Sequence, residues 1–246
     1  LYQPQLGLTN ALLLKLRRRD DVSPEEADVI RSLLEPAEIV AAKEDLVRDG
    51  DRPLASTLLV SGLAGRYKVL ENGSRQITAI HVPGDFVDFH SFLLKTMDHG
   101  VVALTECVTT KISHASLRAI SEQQSHLMRL FSLCGLVDAA IHREWLVCMG
   151  RRQAVAHLAH LLCEIYELLE TVELAAGVEF DFPITQVDLA DMMGISAVHA
   201  NRTVQELRHS GLVTWEGKKV HINDWDRLIA LGEYDNTYLH LVREPR

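Results

Sequence analysis

The chain has 246 residues, 47% of them hydrophobic and 24% charged, with a formal net charge of −9 at pH 7. This is ordinary globular composition, long enough for two domains with their own cores, and its acidity excludes a general nucleic-acid coat. No apolar run reaches the length of a membrane span, and the first residues lack the basic, apolar and small-residue order of a signal peptide.

The chain begins at Leu1, so the natural N-terminus is expected to be missing or processed, and the protein is read as cytoplasmic. Four cysteines, Cys107, Cys134, Cys148 and Cys163, lie far apart in mostly apolar runs without CxxC or zinc-finger spacing. They read as small buried hydrophobes of a reducing compartment, and no metal ligand set is expected.

In chain order, Leu6 to Arg19 reads as a helix rich in leucine and ending in Arg17, Arg18 and Arg19, a solvated basic turn that suits the helix dipole. Ser23, Pro24 and Glu26 form a capping box that opens a second helix to about Leu34. From Glu38 to Ser113 the period becomes that of strands: Ile39–Lys43, Thr57–Val60, Gly65–Leu70, Arg75–Val82 and Val101–Ile112, with Asn72-Gly73 read as a hairpin turn of the primed type. These runs predict an antiparallel roll. Pro83-Gly84-Asp85 breaks it, and Phe86–Leu94 reads as a short apolar helix across its mouth, where a ligand could sit.

A short helix, Ala115–Glu122, precedes the longest helical stretch, about Gln124–Met149. Leu127, Leu130, Cys134, Val137 and Ile141 keep the alternating three- and four-residue spacing of a coiled-coil seam, which predicts homodimerisation. Gly150, Arg151 and Arg152 interrupt the pattern as a hinge, and Gln153–Leu169 is the next helix. Its His157, His160 and Glu164 fall near one face and read as exposed or interface polar residues. Val172–Phe182 is a linker or strand.

Thr185 and Asp188 then make a second capping box, Leu189, Ala190 and Met193 supply an inward stripe, and Gly194 ends the helix in a left-handed residue. Ile195 plugs the turn, Ser196 caps a further helix, and Ala200, Val204 and Leu207 form its buried face. The opposite side presents Val198, Asn201, Arg202 and Gln205, the residue types that read base edges in a major groove. Leu212–Trp215 and Lys219–Ile222 alternate as strands around Glu216, Gly217 and Lys218, a basic-tipped wing suited to phosphate. Turn, reading helix and wing together predict a winged helix-turn-helix. Within Ile184–Ile222, Arg202, Arg208, Lys218 and Lys219 balance Asp188, Asp191, Glu206 and Glu216, so affinity is expected to need a second copy. A capped helix, Trp225–Leu231, follows.

In this order the elements resemble the Crp/Fnr family of bacterial transcription regulators over nearly the whole chain. The family pattern is met at Thr185, Leu189-Ala190, Gly194-Ile195-Ser196, Arg202, Leu207 and Gly211-Leu212. The resemblance implies an α+β chain in three parts. Residues 1–122 are an effector roll like a cyclic-nucleotide-binding jelly roll, with N-terminal helices. Residues 123–152 are the dimerisation helix and hinge, and residues 153–246 the winged helix-turn-helix. It implies a homodimer on pseudo-palindromic double-stranded DNA, with Arg202 the principal base contact, Asn201, Val198 and Ala197 tuning the sequence, and Ser196 on phosphate. The Arg17–Arg19 cluster and the acidic surface are candidate contacts for RNA polymerase.

The sequence departs from the family's effector modes. Where cyclic-nucleotide-binding members carry Gly-Glu and Arg-Ser pairs, this chain has Asp88-Phe89 and His99-Gly100. A carboxylate facing a cyclic phosphate without an arginine disfavours that ligand. The closely spaced N-terminal cysteines of iron–sulfur members do not occur before Cys107, which disfavours a cluster. Ala197 and Val198 replace the acidic reading-helix residue of those members. The effector thus stays unknown, with Asp88, Phe89 and His99 as its candidate pocket. Two alternatives stand beside a sensing regulator: a constitutive DNA binder whose pocket Asp88 and Phe89 fill, and a cupin-like jelly-roll metalloenzyme using His81, His90 and His99, which the lack of an HxH pair disfavours.

Overall fold

α1, Asn10–Arg19, buries Leu12, Leu13 and Leu16. In this computed structural model the described residues are Gly7 and 9–246, so Leu6, where the first predicted helix starts, lies outside them. The basic end of α1 is not wholly solvated: Arg17 and Arg18 are exposed, but Arg19 is turned inward and donates to the Lys15 carbonyl at 3.1 Å. α2, Pro24–Leu33, starts with the expected capping box, in which the Ser23 hydroxyl accepts from Glu26 N and the Glu26 carboxylate from Ser23 N.

The roll follows as β1 (Glu38–Val40), β2 (Asp45–Val47), β3 (Ala55–Ser61), β4 (Ala64–Val69) and β5 (Arg75–His81). α3 (Ser91–Leu94), β6 (Gly100–Ala103) and β7 (Cys107–Ser113) complete it. They make two antiparallel sheets, β1-β7-β3 and β2-β6-β4-β5. The predicted run Val101–Ile112 is thus two strands, each in a different sheet. Asn72-Gly73 does not form a primed turn. Gly73 alone has positive φ, Gly73 N donates to Leu70 O and Leu70 N to Ser74 O, the pattern of a three-residue loop closed by a left-handed glycine.

Charge anchors α1 to the roll. Lys15 is only 3% exposed and its ammonium bonds to Asp85, whose other oxygen accepts from Val82 N at 2.9 Å. Gly84 makes this approach possible: its φ is +89° and a Cβ there would lie 2.7 Å from the Ala11 carbonyl carbon.

α4, His114–Gln123, leads to α5, a single 27-residue helix, Ser125–Arg151. α6 (Ala154–Thr171) follows after Arg152 and Gln153. β8 (Ala175–Ala176) and β9 (Glu179–Asp181) form a hairpin where a linker or strand was expected. α7 (Gln186–Met193), α8 (Ala197–His209), β10 (Val213–Glu216), β11 (Lys219–Ile222) and α9 (Trp225–Gly232) complete the chain, with a 3₁₀ turn at Asn236–Leu239. The wing is thereby part of a four-stranded sheet, β10-β11-β9-β8.

By internal contacts the first unit comprises the chain to Tyr67, Ile80–Ala139 and His240–Arg246, and the second Lys68–Ala79 and Ala140–Leu239. The first unit's main core joins Leu12, Leu16, Ile30, Leu58, Ile112 and Leu117 to Leu127, Leu130 and Phe131 of α5. Two residues of the expected dimer seam, Leu127 and Leu130, therefore face their own unit. Leu127 and Leu130 are fully buried in their own unit, Cys134 packs on the same core, Val137 is buried and Ile141 half-buried. A stripe with seam spacing serves equally well as the inward face of an amphipathic helix. The large apolar side chains that α5 exposes are Leu136, Leu146 and Val147.

A buried ion pair stripped of one partner leaves a charge without solvent. Asp85→Ala is therefore expected to lower the unfolding free energy by about 3 kcal/mol in urea denaturation, and the double variant Lys15→Met/Asp85→Ala to recover most of the loss.

Candidate nucleic-acid interface

The reading helix is built as its local sequence dictates. Thr185 caps α7 through a full capping box: its hydroxyl accepts from Asp188 N at 3.1 Å and its N–H donates to Asp188 Oδ2 at 3.4 Å. Gly194 ends the helix at φ 66°, ψ 30°, and Ser196 caps α8 by accepting from His199 N at 3.3 Å. α8 buries Ala200, Thr203 and Leu207, with Val204 and the turn's Ile195 half-buried. Thr203 belongs to this stripe although a sequence reading for apolar residues passes over it, because its hydroxyl is satisfied locally by the His199 carbonyl at 3.0 Å.

The outward side of α8 carries the predicted reading residues together. Ser196, Ala197, Val198, Arg202 and Gln205 are exposed and Asn201 is half-exposed. Val198 is 69% exposed, an apolar side chain with no core to fill and of the kind that meets a thymine methyl. In the wing, Gly217 takes positive φ and Lys218 does not, the II′ arrangement of a two-residue hairpin loop. Lys218 lies 3.1 Å from Asp181 and Lys219 2.7 Å from Glu179, both in surface pairs. Such pairs stabilise little, so a phosphate can take the ammonium groups over.

The carboxylates of α7 are also met. Within the second unit Arg75 donates to Asp188 at 2.6 Å and to Asp191 at 2.7 Å, and Gln76 Nε2 donates to the Asp191 carbonyl at 2.6 Å. This neutralises two acids beside the reading helix. No sequence pattern signals it, since the partners lie 113 and 116 positions apart.

α6 is the scaffold under α8 and α9, and its polar residues are structural. His157, His160 and Glu164 are buried, contrary to the expectation of exposed groups. Glu164 accepts from Trp145 Nε1 at 2.8 Å and from the Tyr238 hydroxyl at 2.6 Å, while His160 bonds to Gly232 O and to Tyr238 Oη, each at 3.1 Å. Gly232 permits this packing, as a Cβ there would lie 2.7 Å from His160 N.

The candidate effector residues do not meet in one pocket. Asp88 is fully buried, accepts from Thr57 N at 2.5 Å and from Thr57 Oγ1 at 3.4 Å, and burial pushes its carboxyl up to about 7. It lines a groove of about 590 Å³ with Lys111, Arg52 and Pro53. Phe89 packs instead on Phe86 and Phe131, with ring centroids 5.5 and 6.2 Å away. His99 pairs with Asp98 and lies beside His90. Arg66, buried in the roll, is held by Asp138 at 2.7 Å.

An antiparallel roll ahead of a winged helix-turn-helix with an uncovered reading face defines a DNA-binding regulator with a sensor-type domain. The cyclic nucleotide-binding domain family matches residues 38–124 and the Crp-like helix-turn-helix domain family residues 156–231. The chain is 26% identical to the transcriptional activator protein FnrL of Cereibacter sphaeroides over 192 residues, covering 76% of this chain and 77% of that protein. It is 24% identical to the transcriptional activator protein anr of Pseudomonas aeruginosa, covering 93% of each. The structure of FixK2 from Bradyrhizobium japonicum superposes with a TM-score of 0.69 at 18% identity, covering 80% of this chain and 96% of that one, which shows a shared fold. The chain belongs to the Crp/Fnr family and is a DNA-binding transcription regulator of that type. Regulators of this family bind DNA, typically as dimers.

The buried carboxyl of Glu164 gives the scaffold a pH signature. Burial raises it from 4.5 to about 7, although both hydrogen bonds act the other way. Because the folded value lies above the unfolded one, its stabilisation is complete below about pH 4.5 and is lost as pH rises through about 7. Burial lowers His81, His90, His157 and His160 from 6.5 to about 4, so their contribution is present above pH 6.5 and is lost as pH falls. The diagnostic quantity is therefore a difference. The unfolding free energy of the native protein minus that of Glu164→Gln should fall between about pH 4.5 and about pH 7 and stay level above. A pH-independent difference would mean that Glu164 ionises alike in both states.

Proposed function

We propose that this chain acts in the cytoplasm as a homodimer that reads a pseudo-palindromic DNA sequence with its two copies of α8, and that it is not an enzyme. The observation that carries the reading is the outward face of α8, where Arg202 is exposed and no ion pair to it occurs among the described residues. In a major groove its guanidinium can donate two bonds to guanine. Asn201, Val198, Ala197 and Gln205 tune the neighbouring base pairs, while Ser196 at the helix N-terminus and Lys218 on the wing contact phosphate.

The partner copy docks on the exposed side of α5, along Leu136 and Val147, and not on the inward stripe through Leu127, Leu130, Cys134, Val137 and Ile141. Residues 1–122, 123–152 and 153–246 serve as sensor, dimer helix with hinge, and DNA-binding part. α5, continuous from Ser125 to Arg151, is the element through which the roll biases the reading helices. RNA polymerase is the further partner through exposed charge, with Arg17 and Arg18 available and Arg19 turned inward.

The settled surroundings of Asp88 and Phe89 favour a second reading of the roll. With Asp88 bonded to Thr57 and Phe89 packed on Phe86 and Phe131, their positions are filled without a nucleotide, which supports DNA binding without a cyclic-nucleotide effector.

On the duplex the protein selects from a random pool, Arg202→Ala should cost about 1–3 kcal/mol in a titration at fixed salt, and less on random DNA. Equal losses on both would mean that Arg202 contributes charge and not base reading.

A further inference from the structure

We infer that the roll carries a site for a divalent transition-metal ion, with His90 and His99 as its nitrogen ligands and Asp98 as the outer carboxylate that orients His99. One donor atom from each of the three lies within 4.8 Å of those of the other two, and the imidazole centroids are 4.9 Å apart. The Nε2 atoms of both histidines are buried and have no hydrogen-bond partner among the described residues. Buried polar atoms are almost always satisfied, so two unsatisfied ring nitrogens on neighbouring imidazoles need an explanation. A shared ion supplies one.

The free protein already orients one ligand. Asp98 Oδ1 lies 2.6 Å from His99 Nδ1, a contact that places the ring proton on Nδ1 and leaves the lone pair on Nε2. The Arg66 charge nearby is met by Asp138 at 2.7 Å.

The backbone fixes the cluster. Lys95 takes the left-handed conformation at φ 68° and turns the chain after α3, returning residues 98–99 toward His90. On one side of the pair, Met97 N donates to Asp51 O and Met97 O accepts from Gly50 N, each at 2.8 Å. On the other, Gly100 lies flat against Tyr67, where a Cβ would come within 2.4 Å of the ring.

Two imidazoles suit zinc, cobalt or nickel better than calcium or magnesium. Water or an anion would complete the coordination.

The test is titration of chelator-treated full-length protein with Co(II), with Zn(II) as competitor. One equivalent should bind with d–d absorption, no thiolate charge-transfer band and a raised Tm. His90→Gln and His99→Gln should abolish that binding, Asp98→Asn should weaken it by about 10- to 100-fold, and the exposed His240→Ala should leave it unchanged. Absence of saturable binding, a thiolate charge-transfer band from the cysteines, or unaltered binding in both histidine variants would overturn the assignment. The first two outcomes are read on the native protein, so a variant that fails to fold does not remove the test.

Discussion

A carboxyl group shut away from water holds the DNA-binding unit together. Glu164 projects from the middle of α6 between the indole N–H of Trp145 and the hydroxyl of Tyr238. It thereby ties the last turns of α5 and the C-terminal 3₁₀ turn to one helix. His160, one turn earlier, adds the end of α9 through Gly232. Burial favours the neutral acid while both donors favour the carboxylate, and the fixed direction of these two bonds makes the network specific as well as cohesive.

α8 rests on that scaffold through small residues. Ala200, Thr203 and Leu207 face inward, and Thr203 bonds to its own helix, so the inward face makes no polar demand on the core. Everything able to read a base is left for the other side. The charge around α8 is arranged to the same end: Arg75 meets Asp188 and Asp191, so the cations at Arg202 and Arg208 and on the wing are opposed less by the acids of α7. The net charge of −9 and a phosphate-binding face are thus compatible within one chain.

Local signals were legible in the sequence. Both capping boxes, Ser23 with Glu26 and Thr185 with Asp188, depend on residues three apart and fold as read, as does the left-handed Gly194. Contacts made across long separations were not. The stripe from Leu127 to Ile141 is equally good on a partner helix or on its own core, and periodicity cannot choose between them. His157, His160 and Glu164 could be placed on one face, but their burial depends on Trp145, Tyr238 and Gly232, which no spacing rule links to them. The cluster at His90 and His99 was visible only as isolated histidines, because the turn at Lys95 that brings Asp98 and His99 back is a backbone feature without a sequence motif.

The proposed function rests on two copies of α8 reading one duplex. The measurement that tests this most directly is selection by the purified protein, without added effector, from a randomised duplex pool at fixed salt, with sequencing of the retained DNA. The account predicts an enriched two-fold palindrome with half-sites about one helical turn apart. Enrichment of a lone half-site, or none by a folded dimer that binds all duplexes alike, would contradict it.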